Sequence, residues 1–102
     1  MAQETTQVAR FDLGLVVMTR GIEALVEAGI VNPTALLGRH VAGDWGDIDP
    51  EDRGLNEADL LAGDRLLSVY NVTEGVRVWI ITEAADENGY RHVTTLLRPD
   101  DY

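Results

Sequence analysis

The chain has no cysteine and no lysine. The first absence removes disulfides, thiolate catalysis and Cys-type zinc sites together. The second leaves arginine as the sole basic residue type, at positions 10, 20, 39, 53, 65, 77, 91 and 98. No apolar run approaches the roughly 18 residues that a membrane helix needs. Met1 to Arg10 is polar and lacks the apolar core of a signal peptide. A soluble, cytoplasmic protein without membrane contact is the expectation. There is also no phosphate-binding glycine loop, no nucleophile elbow, no His/Cys metal spacing and no internal repeat. No cofactor is implied.

What is there is acid. Asp and Glu number 18 against 8 Arg, for a formal net charge of −10 over 102 residues. Such a charge repels phosphate backbones, so direct nucleic-acid binding is not expected. The acid is concentrated. Asp44, Asp47, Asp49, Glu51, Asp52, Glu57, Asp59 and Asp64 face Arg53 alone across that stretch. A chain of this length makes one domain, spanning 1–102, with residues 1–10 as a loose polar tail.

The pattern predicts an α+β fold: two to three short N-terminal helices packed on an antiparallel three- to four-stranded β-meander. A short strand at Leu15–Met18 is plausible ahead of them. Thr19 reads as the N-cap of a helix over 20–28 that Gly29 stops. Asn32 and Pro33 start a second helix, with Arg39 and His40 in its last turn. Asp49 and Pro50 start a third over 50–61, whose apolar stripe is Leu55, Ala58, Leu60 and Leu61. From Arg65 the period changes to that of strands, over 65–72, 76–83 and 91–97, with Glu74-Gly75 and Glu87-Asn88-Gly89 as turns.

The joint between the two halves, residues 39–57, carries most of the candidate chemistry. Trp45 sits in Gly43-Asp44-Trp45-Gly46. It either folds back as a lid on the core or stands out as an anchor for a partner, a role in which Trp is enriched. The spacing of Asp47, Asp49 and Glu51 suits oxygen ligands. Pro50 interrupts the loop, however, and the central Gly and terminal Glu of a calcium loop are out of place, so no metal is expected. The remaining readings of these carboxylates are helix caps on a solvated face, or an acidic surface made for a basic protein. On the strands, Arg77, Trp79 and Ile81 alternate onto one side, and Arg65 and Arg91 are placed to join them.

Arg39-His40, Gly43-Asp44-Trp45-Gly46, Asp52, Asn56, Arg65-Leu66-Leu67-Ser68, Tyr70, Trp79-Ile80-Ile81-Thr82-Glu83, Thr94-Thr95-Leu96-Leu97, Pro99 and Tyr102 together resemble a family of small proteins carried by plasmids and integrative elements. These are often labelled plasmid-related. The resemblance covers nearly the whole chain and implies a genomic setting without an activity. The architecture is also similar to the superfamily that joins barnase, EndoU nucleases, colicin-type RNases and RelE toxins. That likeness would imply metal-independent RNA cleavage: His40 or His92 as general base, Arg65 on the phosphate, and Ser68 or Thr94 orienting it.

Two function classes follow as expectations. The first is a non-enzymatic, mobile-element-encoded binding protein. It would present Asp44, Trp45, Asp47, Asp49, Glu51 and Asp52 to a basic protein partner, a nucleic-acid-binding defence effector, in the manner of anti-CRISPR or anti-restriction inhibitors. A homodimer is left open. The alternative is the small RNase with His40, Arg65, Ser68 and Thr94 as its catalytic set, or a passive accessory subunit of a plasmid complex.

Overall fold

The computed structural model describes residues 9–102, so the expected loose tail falls outside the described residues up to position 8. Arg10, the last residue of that tail, is tied down: its N–H donates to the Val41 carbonyl at 2.7 Å. The elements in order are β1 (Leu15–Met18), α1 (Arg20–Glu27), α2 (Pro33–Val41), α3 (Pro50–Ala62), β2 (Leu66–Thr73), β3 (Val76–Thr82), β4 (Val93–Leu97) and a 3-10 turn at Pro99–Asp101.

The fold is α+β, with two corrections. The helices follow the first strand instead of opening the domain, and the sheet is mixed instead of a pure meander. Its strand order is β1-β4-β3-β2. β2, β3 and β4 run antiparallel to their neighbours, while β1 lies parallel against β4. The reason is connectivity. β1 leaves the sheet into the helical layer, and the chain returns three helices later on the far edge. Arg91 and His92 were expected inside the last strand, but β4 begins at Val93.

Each helix starts on the cap its sequence announces. Thr19 Oγ1 accepts from the Ile22 N–H at 3.3 Å, Asn32 Oδ1 from Ala35 at 3.2 Å, and Asp49 Oδ1 from Asp52 at 2.8 Å. Such caps are each worth about 1 kcal/mol. Register then sets the core. Leu66, Thr82, Thr94 and Val16 form one row across the sheet, and Ser68, Ile80, Leu96 and Met18 the next. Ile22, Val31 and Leu36 from the helical layer close on Tyr70, Val78, Ile80 and Leu96. Wholly buried aliphatic side chains of this kind contribute roughly 1.5–3 kcal/mol apiece. Among the described residues no helix is long and apolar enough to cross a membrane.

Candidate functional site

The joint 44–57 wraps along the outer edge of β2. An edge strand exposes unpaired N–H and C=O groups that must be covered or answered by water. Here the covering is nearly continuous. Asn56 meets Leu67, with Nδ2 donating to its carbonyl at 2.6 Å and Oδ1 accepting from its N–H at 3.2 Å. The Val69 N–H donates to the Trp45 carbonyl at 3.1 Å, and its carbonyl accepts from the Asp47 N–H at 2.6 Å. The Asn71 N–H donates to Asp47 Oδ2 at 2.8 Å.

This wrapping sets what the candidate partner-binding residues do. Asp44 takes Arg39 in a fork, Nε to Oδ2 at 2.6 Å and Nη2 to Oδ1 at 3.3 Å. That guanidinium holds the Asp44 carboxyl below its ordinary range. Asp47 serves the β2 edge and Asp49 caps α3. Trp45 is buried at 4% exposure, so of its two readings the lid is the one observed, and it does not stand out as an anchor. Its ring stacks on Phe11 at 6.1 Å and meets His40 edge-on at 5.8 Å. Its Nε1 donates to Glu57 Oε2 at 3.0 Å. Glu57 also receives the Arg10 guanidinium through both oxygens, and these hydrogen bonds pull its carboxyl down to about 2. Glu51 and Asp52 remain exposed in the first turn of α3.

Three of the four residues of the ribonuclease set come together, and they do so in the core. His40 Nδ1 lies 2.6 Å from Ser68 Oγ, and Nε2 lies 2.8 Å from Thr82 Oγ1, which lies 2.8 Å from Thr94 Oγ1. Thr94 donates to the Leu13 carbonyl at 2.7 Å. The protons can be assigned from that fixed end. Thr94 spends its hydrogen on Leu13, so it accepts from Thr82. Thr82 therefore accepts from His40 Nε2–H. The neutral ring then has a bare Nδ1, which accepts from Ser68. Every polar atom of the chain has a partner in this one neutral tautomer. All four side chains are at 0% exposure, and burial together with the nearby Arg91 cation lowers the His40 pKa to about 3.

Arg65 is not part of this cluster. It is exposed, and its Nη1 donates to the Tyr102 hydroxyl at 3.3 Å. His92, the other candidate base, is exposed and bonded to Asp86 Oδ2 at 2.7 Å. Arg77 and Trp79 do share a sheet face, through Asn71–Arg77 and Val69–Trp79 pairing. Arg91 leaves that group and is buried beneath Phe11, whose ring centroid is 5.9 Å away. Trp79 is half-buried with Tyr102 edge-on at 5.7 Å, and its Nε1 has no partner among the described residues.

The outer surface of α3 corrects a further expectation. An apolar stripe on a helix packed against a sheet is expected to face it, yet Leu55 is 56% exposed, Leu61 is 89% exposed, and Asn56 is the only buried residue of the helix. The helix is fastened to the strand edge by that polar residue, so its apolar side lies beyond the sheet and meets no second layer. Periodicity found the stripe but could not tell which way it faced. Glu51, Asp52, Asp59 and Asp64 surround it, with Glu51, Asp52 and Asp64 exposed. Among the described residues no group of three or more His, Asp or Glu is placed to hold a metal ion. No protein-family model matches the chain, and neither a curated protein nor a solved structure matches it.

Proposed function

We propose that the chain is an acidic binding protein that docks through α3 onto a basic surface of another protein. One observation carries the reading. A 13-residue helix buries only Asn56 and leaves Leu55 and Leu61 in solvent, with exposed carboxylates beside them. Apolar side chains ringed by charge have the layout of a contact patch: the centre supplies affinity on desolvation and the rim supplies steering and selectivity. The patch replaces Trp45 as the proposed anchor. Asp44, Asp47 and Asp49 still add negative potential, but their side chains are committed inside the fold. Glu51 and Asp52 are the members of the original acidic set most open to a partner.

The target class follows from the plasmid and integrative-element resemblance together with the charge. A nucleic-acid-binding defence effector has a basic groove that an acidic helix can occupy, as in anti-CRISPR or anti-restriction inhibition. The ribonuclease alternative draws no support from His40, because a wholly buried imidazole with a pKa near 3 suits a structural role.

The test is a pull-down of tagged protein from its host, with nuclease treatment and in low and high salt, beside a Leu55→Asp/Leu61→Asp variant. The expected result is one basic, nucleic-acid-binding protein that survives nuclease, leaves in high salt and is lost by the variant. Retention of the same partner by the folded variant would move the interface off α3. Absence of any partner, with growth arrest on expression, would overturn the binding reading in favour of RNA cleavage.

A further inference from the structure

A cleft of about 480 Å3 lies between the Arg10–Asp12 segment, the C-terminal turn of α3 and the loop that carries Ala85 to Arg91. Its most buried lining side chain is Arg91, at 8% exposure. The described residues form ion pairs between Arg10 and Glu57, Arg39 and Asp44, and His92 and Asp86, so Arg91 has no carboxylate partner among them. A guanidinium brought this far out of water normally finds one.

What Arg91 does hold is backbone. Nη1 donates to the Asp64 carbonyl at 2.8 Å and to the Glu83 carbonyl at 3.0 Å. Those two bonds use both hydrogens of one terminal nitrogen. They leave the opposite edge of the guanidinium, Nε–H beside Nη2–H, with no partner among the described residues. This edge is the fork that matches two oxygens of one carboxylate. The same edge of Arg39 is closed on Asp44. Arg91 lines the cleft, and this edge is the part of its guanidinium that no described residue occupies. Burial also lowers the Arg91 pKa, and the nearby Asp64 and Asp59 carboxylates offset that only in part.

The other charges of the cleft select the kind of anion. Arg10 is occupied by Glu57, and Asp86 by His92 and two backbone N–H groups. Asp12 and Glu87 are exposed in the lining and form no ion pair among the described residues. A dianion such as phosphate would approach two carboxylates and a strongly negative chain. A carboxylate that travels with its own positive charge would not be repelled.

We propose that this cleft binds a small zwitterionic carboxylate of amino-acid size, with the Arg91 fork clamping the carboxylate and Asp12 and Glu87 receiving the cationic part. The cleft shares Leu61 with the α3 docking surface, but the proposal does not rest on that docking: ligand shifts at Arg91 and capture of a partner are read separately.

Four probes on the intact protein test it by amide chemical shifts: L-arginine, agmatine (the same cation without the carboxylate), acetate and inorganic phosphate. L-arginine is expected to give saturable shifts at Gly63, Gly89 and Arg91 with a Kd of about 0.1–1 mM. Agmatine, acetate and phosphate should each bind at least about tenfold more weakly. Glu87→Gln, on an exposed side chain, should weaken L-arginine several-fold, and Arg91→Lys, which keeps the charge without the fork, about tenfold or more. Agmatine binding as well as L-arginine would reduce the site to an acidic rim and overturn the proposal. So would phosphate binding more tightly, or no saturable shift with L-arginine up to about 20 mM. If Arg91→Lys fails to fold, the probe series on the unaltered protein and Glu87→Gln decides.

Discussion

Asn56 holds both backbone polar groups of Leu67 with one side-chain amide, at 2.6 and 3.2 Å. It does for the edge strand what a fifth strand would do. The backbone of Trp45 and Asp47 and the Asp47 carboxylate continue the same covering along β2. The acidic joint is thus first a seal on a sheet edge. Its negative charge is what remains visible once the seal is made.

Replacing Asn56 by Ala removes both bonds and leaves a part-buried N–H and C=O without their partner. We expect a loss of about 2–3 kcal/mol, read as a lower urea midpoint at unchanged m-value. Asn56→Asp should cost at least as much, because the carboxylate cannot donate to the Leu67 carbonyl. With the edge opened, both variants should also aggregate faster than the parent on concentration. A midpoint within about 0.5 kcal/mol of the parent would mean that the edge is stable without its clamp.

Gly46 has φ of +82°, and a Cβ there would collide with the Val69 carbonyl and the Tyr70 ring. The collision is with backbone, which cannot step aside without breaking the Trp45–Val69 bond. Gly46→Ala is expected to destabilise by at least about 2 kcal/mol. Gly54→Ala is the control. It lies in the exposed part of α3 with nothing near a new Cβ, and should gain roughly 0.5–1 kcal/mol in helix propensity. Thermal melts of the two variants should therefore move in opposite directions.

The local signals were legible in the sequence: Thr19, Asn32 and Asp49 announce helices, and β-branched and aromatic runs over 65–72 and 76–83 announce strands, within a residue of their observed ends. The position of β1 was not. Parallel pairing with β4 joins residues nearly eighty positions apart, and a run such as Leu15–Met18 fits either sheet edge. The site was half legible. His40, Ser68 and Thr94 could be singled out as a set only through the likeness to the ribonuclease superfamily, which implies a base and groups that orient a phosphate. Burial, which turns that set into a core network, depends on which strand face meets α2. Leu55 and Leu61 were legible as an apolar stripe but not as a surface, because such a stripe reads the same whether it meets the core or the solvent.

Leu55→Asp and Leu61→Asp should leave the fold nearly unchanged, since both side chains are exposed. Each is expected to shift stability by no more than about 0.5–1 kcal/mol while lowering partner affinity at least about tenfold. Glu51→Gln with Asp52→Asn should act differently, slowing association with little change in dissociation. Surface plasmon resonance on the captured partner separates the two. If the leucine variants change only the association rate, the apolar centre assigned to α3 is wrong.

His40 makes stability depend on pH in a predictable sense. Its folded pKa, about 3, lies below the ordinary 6.5. Between those values the unfolded chain binds a proton that the folded chain refuses. Stability is therefore full above pH 6.5 and falls on acidification, by up to about 1.4 kcal/mol per pH unit. The integrated loss across the window is on the order of 5 kcal/mol. Glu57 also has a lowered pKa, but its contribution is lost only below its ordinary 4.5, so denaturation between pH 4.5 and 6.5 isolates the imidazole. His40→Gln keeps the polarity of the assigned tautomer: the amide N–H₂ donates to Thr82 and the amide oxygen accepts from Ser68. It should fold, cost about 1–2 kcal/mol at neutral pH, and abolish the slope in that window. In the parent, nitrogen shifts of the ring should place the proton on Nε2 throughout. A parent midpoint that stays flat from pH 6.5 to 4.5 would show that the core admits the imidazolium. Ser68 would then have to accept from Nδ1–H where it now donates, while the chain from Nε2–H through Thr82 and Thr94 to Leu13 could stay as it is.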